Sequence, residues 1–424
     1  MRYGPQRTGK PAASQRLTFA VIIGALITGA GCNQLLDVEI PGRVSEQDLD
    51  NPALAGTLVA GALGEFECAF NQLVPTNAFL TGEFISSNFF LDSNAWGRRE
   101  EPFMLGSPGA CPAGRGVALY GYYTPMQRAR WMAEDATRRI EGFPDAEVPD
   151  KQGKLAALNA YAGYAYIHLG QNYCEIAVDN GPLMTRAEVL GVAVERFTDA
   201  MQLAQSAGNS DILNMARVGR ARAYLNLNRL DEAAQDAGQV SQGFVRNAAY
   251  STASVRRENS TYNRTETHYL SVGEAWRNLE VNGAPDPRVP VVDAGVMGQD
   301  GTTPQWNQMK YTMRSDPIPI ASWREAQLII AEARGGQEAI DAMNRVRDLH
   351  SLPHLMLSDV DDMLETILEE RRREFFLEGQ RHSDMIRHNL PFPSGLNHKG
   401  QIFQAYECMP LPNVERFNNP NISG

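Results

Sequence analysis

The sequence carries none of the short motifs that mark a catalytic centre. It has no G-x-S-x-G, no H-E-x-x-H, no Walker A loop and no G-x-G-x-x-G. Nucleophile-elbow hydrolysis, zincin chemistry and nucleotide or dinucleotide binding therefore have no support in it. No C-x-x-C occurs among the five cysteines, which removes the zinc-ribbon and thioredoxin-type readings. Histidines are few and scattered. His350 and His354 stand four apart, but Pro353 lies between them and breaks the helix that a metal pair would need. No cofactor or metal is expected, and no two carboxylates can be assigned as acid and base without geometry. Excess positive charge is missing too. The formal net charge is −11, which disfavours nucleic acid as a partner. Beyond residue 28 no apolar run comes near the ~20 residues of a membrane-spanning helix.

What is present begins with a basic, acid-free stretch holding Arg2, Arg7, Lys10 and Arg16, followed by an apolar run over 17–28. This pattern predicts a secretion signal. Gly29, Ala30, Gly31 and Cys32 follow and resemble a lipobox, although Gly29 stands where a leucine is usual. The expectation is a lipoprotein signal peptide over 1–31, lipidation at Cys32 and a lipidated tether over 32–45. Ordinary cleavage near Ala30, leaving a free thiol, is the alternative. Loss of 1–31 would take the net charge from −11 to −15, because four cations leave and no acid does. The other cysteines are Cys68, Cys111, Cys174 and Cys408. An even number in an exported chain suggests two disulfides with three possible pairings. Cys68–Cys111 with Cys174–Cys408 is the pairing expected, since the first two are near in sequence. Four buried free thiols are the other reading.

Asn51 and Pro52 predict a helix start, and an apolar face built on Leu54, Leu58, Ala62 and Phe66 carries the helix to about residue 71. Residues 73–118 have no sustained period. A long irregular segment rich in aromatics is often functional. Each single Phe in it reads as a core anchor. Trp96, flanked by Asn94, Gly97 and Arg98, stands apart as a candidate ligand platform. Helices are expected over 120–142, 153–170, 188–206 and 212–240. Ala165, Tyr166 and Leu169 echo Ala223, Tyr224 and Leu227, a pattern that resembles degenerate tetratricopeptide pairs. Residues 243–320 read as loops and short strands and hold Trp276, Trp306 and Tyr311. Ser322 and Glu325 predict a capping box opening another helix pair.

The densest signal comes near the end. Leu364, Leu368 and Phe375 fall at helical spacing, widened by Ile367, with Arg371 inside the apolar stripe. Glu370 and Glu374 flank it, Gly379 stops or bends the helix, and Arg381, Asp384 and Arg387 repeat at steps of three. A buried charge must be paired, so these six charged residues predict a half-buried network tying several segments together. Arg371 is expected to pair with Glu370 or Glu374. A solvated helix face is the alternative.

This stretch also resembles the C-terminal signature of the RagB/SusD family, on Glu370 and Arg371, then Glu374 and Phe375, then Glu378, Gly379, Arg381, Asp384 and Arg387. The segments after Cys32 and around 280–420 are similar to that family as well. The resemblance implies a mostly α, SusD-like fold with degenerate tetratricopeptide-type helix pairs plus inserted loops and short strands. It would form a single domain over 46–424, with helical repeats about 120–240 and 322–388 and loop-rich insertions about 73–118 and 243–320. It further implies a non-enzymatic, lipid-anchored protein of the outer-membrane surface. Such a protein captures glycans or peptides and passes them to a SusC-like TonB-dependent transporter. Trp96, Arg98, Trp276, Trp306 and Tyr311 are the candidate ligand-binding residues. A glycan- or peptide-processing surface enzyme and a non-catalytic helical scaffold remain as alternatives.

Overall fold

Asn51 opens the first long helix by accepting a hydrogen bond from the Ala53 amide, and Pro52 fits the first turn, where no donor is needed. Helix α1 (Ala55–Leu80) runs well past residue 71 and through Pro75. Every residue from Cys68 to Leu80 is buried, so this half has no polar face to give a period. Its polar side chains take distant partners instead. Asn71 accepts from the Ser260 amide at 2.8 Å, and Asn77 donates to the Gly379 carbonyl at 3.0 Å. The stretch Pro52–Leu80 is in fact long and apolar enough to cross a membrane, contrary to the reading of the sequence. Burial of its second half inside the protein accounts for that composition.

The computed structural model describes residues 46–111 and 120–422. The expected signal peptide, Cys32 and the tether lie outside the described residues. Of two units, Met1–Leu49 and Asp50–Gly424, the second holds all the elements that follow. After α1 come α2 (Leu91–Gly97), α3 (Glu101–Gly106), α4 (Tyr123–Gly142), α5 (Lys151–Asn172), α6 (Arg186–Ala207), α7 (Ser210–Asn226) and α8 (Leu230–Ala237). The helix expected over 212–240 is divided in two, with Asn228 in the left-handed region at φ 56°. Later helices are α9 (Ser260–Glu266), α10 (Trp323–Arg334), α11 (Gly336–Asp348), α12 (Met363–Glu374), α13 (Arg381–Arg387) and α14 (Asn413–Asn418). The fold is mostly helical.

From α4 to α8 each helix packs on the next, and α8 passes the contact to α10 and α10 to α11. Stacking of sequence neighbours is the architecture of helical repeats. Close approach depends on two glycines. Gly163 on α5 and Gly219 on α7 both face the Phe197 ring of α6, where a Cβ would sit 2.8 and 2.3 Å from it. The echo of Tyr166 in Tyr224 is longer than a tetratricopeptide period because α5 and α6 each have 22 residues. Ser322 caps α10 through the Glu325 amide at 3.2 Å. The Glu325 carboxylate turns instead to the Arg222 guanidinium at 2.7 Å, so only half of the expected capping box forms.

Strands are short and occur as two-stranded antiparallel pairs among the described residues. Phe84–Ser86 pairs with Leu270–Val272, and Val291–Met297 forms a hairpin with Pro304–Gln308. These pairs bring the segment after α1 against the loop-rich region. Disulfides join Cys68 to Cys111 and Cys174 to Cys408. The second holds the C-terminal tail against the end of α5, where the Cys174 amide donates to the Met409 carbonyl at 2.9 Å.

Candidate functional site

The core of the charge run on α12 and α13, Glu370, Arg371, Glu374 and Asp384, is buried and paired with groups from other elements. Arg371, 3 % exposed, donates twice to Asp384 at 2.9 and 2.8 Å and lies 3.6 Å from Glu332. Glu370 accepts from Arg288 at 2.7 Å and from Arg347 at 2.6 Å. Glu374 accepts from Arg324 at 2.6 Å and meets His350 at 2.9 Å. Burial pushes the Glu374 carboxyl up, but His350 and Arg324 outweigh it and hold it at about 2. The expected pairing of Arg371 with Glu370 or Glu374 is therefore corrected. Both acids are taken by cations from α10, α11 and the loop at Arg288, which leaves Asp384 and Glu332 for Arg371. Arg387 joins the same cluster, bonding Asp384 at 2.9 Å and also pairing with Glu332. Arg381 is half-buried, close enough to Asp384 and Glu83 to feel their charge, while burial pulls its pKa down. This cluster is a structural hub. On one side Glu332 and Arg387 reach a cleft of about 640 Å³, which Leu190, Leu227, Leu364 and His388 also line.

Three of the five candidate ligand residues are buried in the core. Trp96 is 1 % exposed, in the core beside Tyr120. Helix α2 turns Ser93, Ala95 and Trp96 inward together, so the indole has no free face. Trp276 is buried with its ring stacked on Phe376 at 5.3 Å and covered by Arg372 at 4.3 Å. Tyr311 is buried and donates its hydroxyl to the Leu377 carbonyl at 3.1 Å. Trp306 is half-buried under Arg277 at 5.1 Å, and Arg98 is paired with Glu100. The ligand role assigned to Trp96, Trp276 and Tyr311 is withdrawn, because a ring buried on both faces cannot stack on a ligand.

Trp131 on α4 and Phe417 on α14 are exposed singly, and an adjacent exposed pair lies a few residues before Trp96. Phe89 is 71 % exposed and Phe90 40 % exposed, between the strand Phe84–Ser86 and α2. Phe90 meets Tyr269 edge to face at 5.4 Å. Two other segments flank this pair. In the hairpin at 395–403, Leu396 and Ile402 face each other across a bridge, and both are exposed. At the turn of the Val291–Met297 hairpin, Met297 is exposed as well. His398 bonds the Ser86 carbonyl at 2.7 Å, Lys399 donates to the Asn88 carbonyl at 2.8 Å, and the Asp300 amide donates to the Ser87 carbonyl at 3.0 Å. Asn88 accepts from the Phe90 amide at 2.8 Å and donates to the Tyr269 carbonyl at 2.8 Å. The result is a loop-borne apolar face on a hydrogen-bonded frame. The same segments also line a small cavity, with Phe84, Ser86, Asn94, His398 and Phe403 in its wall. On α2, burial raises Asp92 to about 6 against the opposing effect of Arg264. A flat aromatic pair beside fixed polar groups can stack on the C–H face of a sugar or on an apolar side chain.

Sequence reasoning passed over Phe89 and Phe90 as core anchors. A signal was there. Ser86, Ser87 and Asn88 precede the pair, and Asp92, Ser93 and Asn94 follow Leu91, so no apolar period exists to bury it.

The helices stack in sequence order as in repeat proteins, and comparison with known proteins specifies the class. A model of the SusD family matches residues 193–415, more than half of the chain, and the chain belongs to that family. No curated protein matches it. Among solved structures it is similar to a SusD-like carbohydrate binding protein from Bacteroides vulgatus, with a TM-score of 0.65 at 15% identity over 88% of this chain and 97% of that one. It is similar to a SusD superfamily protein from Parabacteroides distasonis, with a TM-score of 0.64 at 13% identity over 90% and 99% of the two chains. A surface glycan-binding protein A from Bacteroides thetaiotaomicron, in complex with laminarihexaose, gives 0.63 at 14% identity over 88% and 98%. At these identities the likeness is one of fold.

Proposed function

We propose that this chain captures glycans, or peptides of similar size, at the loop-borne face of Phe89 and Phe90 without converting them. One observation carries the reading. Two adjacent phenylalanines stand exposed on a frame whose backbone is hydrogen-bonded on both sides. Exposed aromatics held in one conformation lose little entropy when a ligand stacks on them. A protein of the same fold is described as a surface glycan-binding protein in complex with laminarihexaose, which supports a sugar as the first ligand to try.

The protein is held to the outer surface of the outer membrane by lipid on Cys32. A chain that captures a solute but does not itself carry it across a bilayer needs a spanning partner, and a TonB-dependent transporter fills that role. Lipid anchoring confines the chain to the membrane plane and raises its concentration near that partner. Substitution of Cys32→Ala should move the protein to the soluble fraction, since stable anchoring takes two or more acyl chains at ~0.8 kcal/mol per buried CH₂. Membrane retention of that variant would refute the anchor. The function itself is tested by titrating the purified protein with a panel of oligosaccharides and peptides while following turnover. Saturable binding without product formation is expected. Product formation would put a processing enzyme in its place. Co-purification of a β-barrel receptor in comparable amount from solubilised outer membrane is expected for the partner.

A further inference from the structure

We infer that Lys399 is the positioning residue of the aromatic face, fixing Phe89 and Phe90 before a ligand arrives. The inference rests on the reading of that face as the capture site. Three segments far apart in sequence meet at the Lys399 ammonium. It donates to the Asn88 carbonyl at 2.8 Å and pairs with Asp300 at 2.7 Å, with its side chain only 18% exposed and that of Asp300 7% exposed. Asn88 immediately precedes Phe89. The peptide between them is planar, so holding the Asn88 oxygen also holds the plane from which Phe89 starts.

Both ends of the clasp are built firmly. Asp300 accepts from the amides of Thr302 and Thr303 at 3.0 and 2.8 Å and from the Thr303 hydroxyl at 2.7 Å. Burial would raise this carboxyl, but Lys399 and those three donors outweigh it and hold Asp300 below the usual carboxylate range. The turn carrying Asp300 lies directly on Ser87, two residues before Phe89. A Cβ on Gly298 would stand 2.4 Å from the Ser87 side chain. On the other side Asn397 shapes the hairpin by accepting from the Lys399 and Gln401 amides, each at 2.9 Å. His398 adds a second bond from this hairpin, to Ser86. Lys399 is nevertheless the side chain that touches both other segments. Without its charge, Asp300 loses its ion-pair partner and the Asn88 carbonyl keeps the longer bond from the Asn94 side chain at 3.2 Å.

The test uses the full folded domain and three variants: Lys399→Gln, Lys399→Arg and Phe89→Ala. Hydrogen exchange of the ligand-free protein is read at amides 87–91 and, as reference, along α5. In Lys399→Gln the amides at 87–91 should exchange at least tenfold faster while α5 stays unchanged, and Lys399→Arg should restore most of the protection. Against the tightest oligosaccharide of the panel, Lys399→Gln should bind at least fivefold more weakly, with the loss in binding entropy. Phe89→Ala should lose affinity without changing exchange in the hairpin. Unchanged exchange at 87–91 in Lys399→Gln overturns the inference, and so does faster exchange that extends through α5. If wild-type protein binds nothing on the panel while Lys399→Gln still loosens 87–91, the capture reading fails and the positioning role stands.

Discussion

The hub on α12 and α13 and the face around Phe89 are built on opposite terms. The hub hides charge. Arg371, Glu370, Glu374 and Asp384 are all nearly inaccessible, and each is paired with a group from another element. The face exposes apolar surface, and its polar groups are spent on fixing backbone rather than on pairing side chains across a core. A buried ion network gives little net stability over an apolar core, but removing one member is costly. An exposed aromatic pair gives almost no stability, and removing it harms only what it binds. One region holds the scaffold in shape, and the other is free to serve a ligand.

Breaking the hub should have the largest effect. Arg371→Leu removes one of the two arginines that Asp384 and Glu332 share, leaving Arg387 alone between two buried carboxylates, and should cost about 3 kcal/mol in denaturant unfolding. The exposed Arg138 provides the contrast, and its replacement by Leu should stay within about 0.5 kcal/mol. Equal losses for the two variants would erase the distinction between hub and surface.

A smaller effect belongs to Asp92, on the helix that carries the face. Its carboxyl is raised to about 6 from an ordinary value of 3.8, so the folded state holds the proton more tightly than the unfolded one. Stability from this group therefore falls as pH rises from about 4 to about 6. Because the group is partly open to solvent, the cost at pH 7 is on the order of 1 kcal/mol. Asp92→Asn should raise the melting temperature at pH 7, and the gain should vanish below pH 4. A gain of the same size at both pH values would show that charge is not the cause.

The two regions also differ in how far the sequence discloses them. The hub lies within one continuous stretch, and an arginine in an apolar helical stripe is itself unusual, so its burial could be inferred. Its partners could not, because Arg288, Arg324 and Arg347 come from other elements and read alone as surface cations. The helix pairs were legible from period and caps. The second half of α1 was not, since a helix buried all round loses its period. The face was least legible. Lys399 and Asn88 stand 311 positions apart, and nothing local links them. Trp96 drew attention by its size and its polar neighbours. The fold turned it inward with Ser93 and Ala95, while the plainer Phe89 was left outside.

The central claim is that the exposed phenylalanine pair, and not the buried tryptophans, binds the ligand. It is tested most directly by titrating the tightest oligosaccharide of the panel against Phe89→Ala/Phe90→Ala and against wild type, with melting temperatures taken on the same samples. An aromatic contact of this kind is worth about 1.4 kcal/mol or more, so the double variant should bind at least tenfold more weakly. Its melting temperature should stay near that of wild type. Unchanged affinity in a folded double variant would contradict the account and place the ligand elsewhere on the molecule.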